Sequence, residues 1–362
     1  MKVLHINAGL EEGGAKTHIV SLLSQFPTKG VELLVFEEGF VAQEARLIGI
    51  KVHVVNQNSR YDLTIISKVI NYIKTNHFDI VHSHGARANL VLALIKKKIN
   101  STWVATVHSD PRLDFMDKGL RGKFFSYLNI WSLKKADKLI VVTDDIKKEL
   151  INSNISSEKI FIVYNGIIFD GKSVNKESNT LFTMTCVARL HPIKGHEFLL
   201  ESISSSELSD FQLNLIGEGE LKEKLRKRVR DLKLEEKVKF YGALQKSEIE
   251  KVLQKTDLTV LTSISEGFPL VLLESANQKI PFISTDVGNV ARLVPNSSYG
   301  WLVPVNDYLA FSAALKEAYN LWQSNKLAEK GENLFQLASK EYSLNKVYLD
   351  TLNIYKDKDK FK

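Results

Sequence analysis

A chain of 362 residues exceeds the roughly 250–300 at which single cores stop growing, so about two domains are expected, and 44% hydrophobic with 25% charged residues excludes disorder and fibrous repeats. No apolar run of about 18 residues occurs, the opening MKVLHINAGLEEGG lacks the pattern of a secretory leader, and the single Cys186 excludes internal disulfides and thiolate-rich metal centres. A net charge of +7 admits nucleic acid, anionic lipid or nucleotide phosphate as partners, and the cysteine usage fits a reducing cytosol.

In chain order, KVLHINA is a short apolar run leading into a glycine loop and a helix carrying Ile19, Leu22, Leu23 and Phe26. VELLVFE and KVHVV follow as strands, then a helix through Ile65, Val69 and Ile73, the strand DIVHSH, a helix over 88–97, and the strands TWVATVH, KLIVVT and KIFIVYN. Residues 166–180 lose apolar periodicity and read as a linker. The alternation then restarts with LFTMTCVAR, FQLNLIG, KVKFYG, LTVLTS, PFIST and GWLVP. Helices lie between them near 197–203, 221–232, 248–253 and 270–277, and a helical tail runs from 311 to 355. Short apolar strands separated by helices indicate α/β architecture with parallel sheets. Two Rossmann-like, doubly wound domains are therefore expected, over 1–168 and 180–342, facing a cleft at the carboxyl ends of their strands.

The first loop, Gly9–Thr17, spaces glycines as a phosphate-binding loop does, but Ala15 stands where that loop needs lysine. Two readings remain: Gly13 and Gly14 bring backbone N–H groups at a helix start toward a phosphate or sugar, or the turn merely needs glycine. His82 and His84 share one sheet face by alternation, so zinc is weighed; no third ligand is evident, and no metal site is assigned. His108 ends the next strand before an acidic segment and is the histidine favoured for function. In VARLHPIKG, Arg189 and Lys194 flank a Pro192 turn just after a buried strand. An arginine fork and a lysine point charge there suit a diphosphate; two solvated cations are the plain alternative. In EGFPLVLLE, Glu266 precedes the Gly267-Phe268-Pro269 turn. Glu274 interrupts an apolar helical face, where a ribose diol would satisfy a buried carboxylate.

EGFPLVLLE, with VARLHPIKG about seventy residues upstream, resembles the family 4 retaining glycosyltransferases of the GT-B fold, of bacterial polysaccharide and glycolipid type. The opening glycine loop, ADKLIVVT, FIVYNG, LIGEGEL and VKFYGAL stand in the expected order, although Glu220 replaces a common proline. The resemblance implies a nucleotide-diphosphate sugar donor, with a UDP-sugar first in line. It implies retention without a required metal, so no cofactor, and a final helix, 343–362, returning to the first domain. It gives Arg189 and Lys194 the diphosphate and Glu274 the ribose. Glu266 with the backbone of Gly267, Phe268 and Pro269 takes the donor sugar, and His108 stands near the reacting centre. Two mechanisms stay open: Glu266 as nucleophile, or front-face transfer in which the leaving phosphate deprotonates the acceptor hydroxyl.

The acceptor is expected on the first domain, as a glycan, glycolipid or lipid-linked intermediate of cell-surface polysaccharide. The excess charge lies there, with 22 basic against 17 acidic residues up to Asp170 and 27 against 25 after it. Residues 112–138 mix seven cations with Phe124, Phe125, Tyr127 and Trp131. They read either as a helix on an anionic membrane surface or as a core-facing stripe of Leu120, Phe124, Leu128 and Trp131. Nucleic acid is not expected, because no stacking platform or groove-reading helix accompanies the charge. The expected enzyme is cytoplasmic, peripheral at the inner face of the membrane. The alternatives are an epimerase- or phosphorylase-like enzyme, or a non-catalytic sugar-nucleotide-binding subunit.

Overall fold

The computed structural model describes residues 1–10, 13–55, 57, 62–112, 119–171, 180–206 and 208–357. Glu11 and Glu12 of the first loop, residues 113–118 and most of the expected linker lie outside the described residues. The chain divides into two compact units, Met1–Gly166 with Leu344–Lys362, and Ile167–Ser343.

In unit 1 the strands are β1 (Val3–Asn7), β2 (Val31–Val35), β3 (Lys51–Val54), β4 (Ile80–His84), β5 (Thr102–Val107), β6 (Lys138–Val141) and β7 (Ile160–Ile162). The helices between them are α1 (Gly13–Ser24), α2 (Phe40–Leu47), α3 (Thr64–Asn76), α4 (Ala86–Ile95), α5 (Gly119–Leu133) and α6 (Asp144–Asn152). All pairings are parallel, in the order β3-β2-β1-β4-β5-β6-β7. The order reverses between β1 and β4, which makes the carboxyl ends of these two strands the natural ligand position. Their register sets His5 beside His82 and Asn7 beside His84.

Unit 2 holds β8 (Phe182–Val187), α7 (His196–Ser204), β9 (Phe211–Ile216), α8 (Lys222–Asp231), β10 (Val238–Gly242), α9 (Lys246–Leu253), β11 (Leu258–Leu261), α10 (Leu270–Asn277), β12 (Phe282–Thr285), β13 (Trp301–Val303), α11 (Tyr308–Gln323) and α12 (Leu327–Glu341). Its sheet runs β10-β9-β8-β11-β12-β13 and reverses between β8 and β11. The loops after those two strands carry Arg189, Lys194 and Glu266.

The last helix, α13 (Leu344–Lys356), belongs to unit 1. It buries Leu344, Val347, Ile354 and Tyr355 in the cluster formed by Val3, Phe26 and Val31. The buried Lys138 ammonium donates to Ile354 O (2.5 Å) and to Asp357 O, so a cation caps the helix where its carbonyls lack partners. The apolar stripe weighed for α5 is corrected by its burial. The helix turns Ser126, Asn129, Ser132 and Leu133 inward, while Phe124 is 58%, Phe125 39% and Tyr127 65% exposed. Small polar residues allow α5 to lie close to α4; Trp131 packs partly buried against the core, and Phe124, Phe125 and Tyr127 are left outside.

Candidate active site

The unit 2 loops are held to one another by backbone contacts that only glycine permits. Gly195, at φ +66°, ends the single turn Pro192–Lys194; a Cβ there would stand 2.0 Å from Thr262 O. Gly288, also at positive φ, would place a Cβ 2.2 Å from Gly267 O and 2.4 Å from Glu266 O. The loops after β8, β11 and β12 therefore stack at one end of the sheet. Thr262 Oγ1 donates to the carbonyls of Lys194 and Gly195, and Asn289 N donates to Gly267 O (3.1 Å).

Within this stack the Lys194 ammonium donates to Glu266 Oε1 at 2.5 Å, and Ser263 Oγ donates to the same oxygen at 2.6 Å. Both charged side chains are largely shielded, at 23% and 12% exposure, which strengthens a charge-assisted bond. The structure thus joins two of the residues singled out from sequence. Arg189 stands exposed after β8 and makes no ion pair among the described residues. Phe268 is buried against the Tyr342 ring, centroids 4.9 Å apart, and Pro269 caps the start of α10. Glu274 lies half-buried on α10, and its carboxylate makes no hydrogen bond or ion pair among the described residues. Burial raises its pKa, Lys246 opposes that shift and Glu250 adds to it. A half-buried carboxylate with free lone pairs is a natural acceptor for ligand hydroxyls.

In unit 1, α1 starts at Gly13, so Gly13 and Gly14 both lie in its first turn. His108 follows β5 and belongs to a group of five histidines. His5 and His84 stack with centroids 5.2 Å apart, His82 and His84 at 4.4 Å, and His18 meets His108 edge-on at 4.9 Å. Burial holds these imidazoles neutral, and repulsion from neighbouring imidazoles adds to it at His5, His82, His84 and His108. His5 is lowered to about 3 and His18 to about 4, while His82, His84 and His108 are pushed well below the usual value. His5, His82 and His84 each place a ring nitrogen within 4.8 Å of the others, the spread of a three-imidazole metal site. Hydroxyls occupy both nitrogens of His82, Tyr355 at 2.5 Å and Thr106 at 2.6 Å, and no carboxylate among the described residues is bonded to the trio to balance a dication.

Sequence reasoning missed His5, His18 and Tyr355. His5 could have been found, since alternation along KVLHINA and the pairing of β1 with β4 put it beside His82. Tyr355 lies 273 positions from His82, and nothing in its own segment announces the contact.

Two family models match in succession, Glycosyltransferase Family 4 over residues 12–170 and Glycosyl transferases group 1 over residues 169–334. An uncharacterized glycosyltransferase of Methanocaldococcus jannaschii is 27% identical, the alignment covering 79% of this chain and 78% of that one. The UDP-Gal:alpha-D-GlcNAc-diphosphoundecaprenol alpha-1,3-galactosyltransferase of Escherichia coli is 24% identical over 80% of each chain. Among solved structures, HepE of Anabaena in complex with UDP superposes with a TM-score of 0.85 at 17% identity, covering 98% of this chain and 99% of that one. The lipopolysaccharide outer core galactosyltransferase WaaB superposes with a TM-score of 0.75 at 21% identity, covering 98% and 99%.

Proposed function

This chain belongs to glycosyltransferase family 4, and we propose that it transfers a hexosyl group, with retention, from a nucleotide-diphosphate sugar to a glycan, glycolipid or lipid-linked acceptor. The observation that carries this reading is the Lys194–Glu266–Ser263 cluster at the switch point of unit 2, with Arg189 on the same loop after β8 as Lys194. The UDP in HepE and the UDP-Gal and diphosphoundecaprenol in the name of the Escherichia coli relative support UDP as the carrier and a lipid-linked acceptor.

In this reading Arg189 and Lys194 hold the diphosphate and neutralise the charge that grows as the glycosidic bond breaks. Glu274 accepts hydrogen bonds from the ribose hydroxyls. Glu266 and the backbone of Gly267, Phe268 and Pro269 bind the donor sugar, while Gly13, Gly14 and His108 act from unit 1. Glu266 Oε1 already accepts two short hydrogen bonds, which lowers its nucleophilicity, so front-face transfer is favoured over a glycosyl-enzyme intermediate. No metal is required, because the cations come from the protein. The exposed Phe124, Phe125 and Tyr127 beside Arg121 and Lys123 support a peripheral position at an anionic membrane surface, where its acceptor would lie.

The test is a panel of sugar nucleotides followed by thermal shift and by release of labelled sugar. A UDP-sugar at 100 times its Kd adds about 2.7 kcal/mol of stability. Arg189→Ala and Lys194→Ala should each lower turnover by about 10²–10³ without unfolding the protein. Turnover abolished by EDTA, or unimpaired in both variants, would overturn the assignment of these residues.

A further inference from the structure

A cavity of about 160 Å³ opens in unit 1 at the carboxyl ends of β1, β4 and β5. Its polar lining is Asn7, His84, Asn89, Thr106, His108 and Asn129, with Ser109 at the edge. No lysine, arginine, aspartate or glutamate lines it among the described residues. Two buried hydrogen-bond chains end at its wall.

The first chain starts at a group that can only donate. Trp103 Nε1–H can only donate, and it donates to Ser83 Oγ at 2.8 Å. Ser83 Oγ in turn donates to Asn89 Oδ1 at 2.8 Å. That contact orients the Asn89 amide, whose Nδ2 donates to Asn129 Oδ1 at 3.2 Å. Asn129 is left presenting its Nδ2 hydrogens, which meet no acceptor among the described residues. The chain that starts at the Trp103 indole on β5 thus ends with Asn129 offering a donor at the cavity.

The second chain can run either way. It links Thr106 Oγ1 to His82 Nε2 (2.6 Å), His82 Nδ1 to Tyr355 Oη (2.5 Å), and Tyr355 Oη to His5 Nε2 (3.5 Å). It continues from His5 Nδ1 to His84 Nε2 (2.9 Å) and from His84 Nδ1 to His108 Nε2 (3.5 Å). Every member is neutral and every member can donate or accept. Shifting all the protons one way leaves His108 Nδ1 as a donor; shifting them the other way leaves it as a lone pair. His108 can therefore answer a hydroxyl in either sense without acquiring charge.

We propose that this cavity binds an uncharged, hydroxyl-bearing ring, a sugar without carboxylate or phosphate, Asn129 donating to one oxygen and His108 exchanging a hydrogen bond with another. The start of α4 at Gly85 and Ala86 also lines the cavity, and its free N–H groups would draw an anion by themselves. An anion would have to leave water with no full positive charge to meet it, because these imidazoles resist protonation; a neutral hydroxyl carries no such cost. The proposal rests on the glycosyl-transfer reading and narrows what unit 1 contributes to it. Ser83, Trp103 and Tyr355 become positioning residues, acting through Asn129 and His108.

The experiment uses the full chain with ¹⁵N-labelled histidine, the His108 signals assigned by His108→Gln. Methyl glycosides of glucose, galactose, mannose and N-acetylglucosamine, glucuronate and inorganic phosphate are titrated in turn. At least one methyl glycoside should shift His108 saturably in the millimolar range, with glucuronate and phosphate weaker at equal concentration. Asn129→Asp, which turns the donor into an acceptor, and Ser83→Ala should each weaken that response by about tenfold. Tyr355→Phe should change the His108 tautomer signature while its protein remains folded. Silence with all four glycosides, a stronger response to phosphate or glucuronate, or an unchanged response in folded Asn129→Asp would overturn the proposal. Dependence of UDP-sugar binding on Arg189 and Lys194, measured separately, reports on the unit 2 reading alone.

Discussion

Lowering the pH from 7 to 5 should unfold unit 1 while leaving unit 2 largely intact. His5 and His18 are buried with folded pKa values of about 3 and about 4, against 6.5 for the free side chain. Above pH 6.5 both the folded and unfolded forms are neutral, and these groups do not bias folding. Below it the unfolded chain takes up protons that the folded chain refuses, so stability falls as the pH drops toward the folded values. Each such histidine removes about 2 kcal/mol at pH 5, so these two together remove about 4. His82, His84 and His108 are shifted the same way, so the protons they take up on unfolding add to that loss. In unit 2, His196 is lowered to about 4, chiefly by burial, and brings a loss of about 2 kcal/mol. Urea titrations at pH 7, 6 and 5, read by hydrogen exchange on peptides of each unit, would separate the two. Equal acid sensitivity of the units, or a unit 1 midpoint that does not move between pH 7 and 5, would refute the burial argument.

Two further outcomes are expected. Lys138→Met removes the cation that caps α13 and should destabilise unit 1 by about 1–3 kcal/mol, with faster exchange confined first to residues 344–356; unchanged exchange there would show that the cap is dispensable. Anionic liposomes should sediment the protein at low salt, with each basic residue near the surface worth about 1 kcal/mol. Neutralising Arg121, Lys123, Lys134 and Lys135 should abolish this, and equal, salt-independent partitioning of both proteins would remove α5 from the membrane.

The strands were readable because parallel sheets bury both faces, leaving runs such as TWVATV and LTVL with no alternation to obscure them. Helices α2 and α6 are absent from the sequence reading; at eight and nine residues they carry two to three buried side chains each, too few for a clear period. The failure at α5 has a definite cause. Apolar residues alone do not mark its buried face, because close packing on α4 selects Ser126, Asn129 and Ser132. In unit 2 the candidate site lay in the sequence because strand-end loops are punctuated by glycine and proline next to the charges. In unit 1 it did so only in part: His84 and His108 stood at strand ends, whereas Asn129 and Tyr355 reach the cavity or its histidine chain only through contacts 40 and 273 positions long.

The return of α13 to unit 1 has a consequence for the order of synthesis. Residues 167–343 must be made after the seven strands of the first sheet and before the helix that covers them. At about 5–20 residues per second, that interval lasts about 10–35 s. Throughout it Val3, Phe26 and Val31 lack Leu344, Val347 and Tyr355, and His82 lacks its phenol. The nascent first unit therefore keeps an exposed apolar surface until α13 is made.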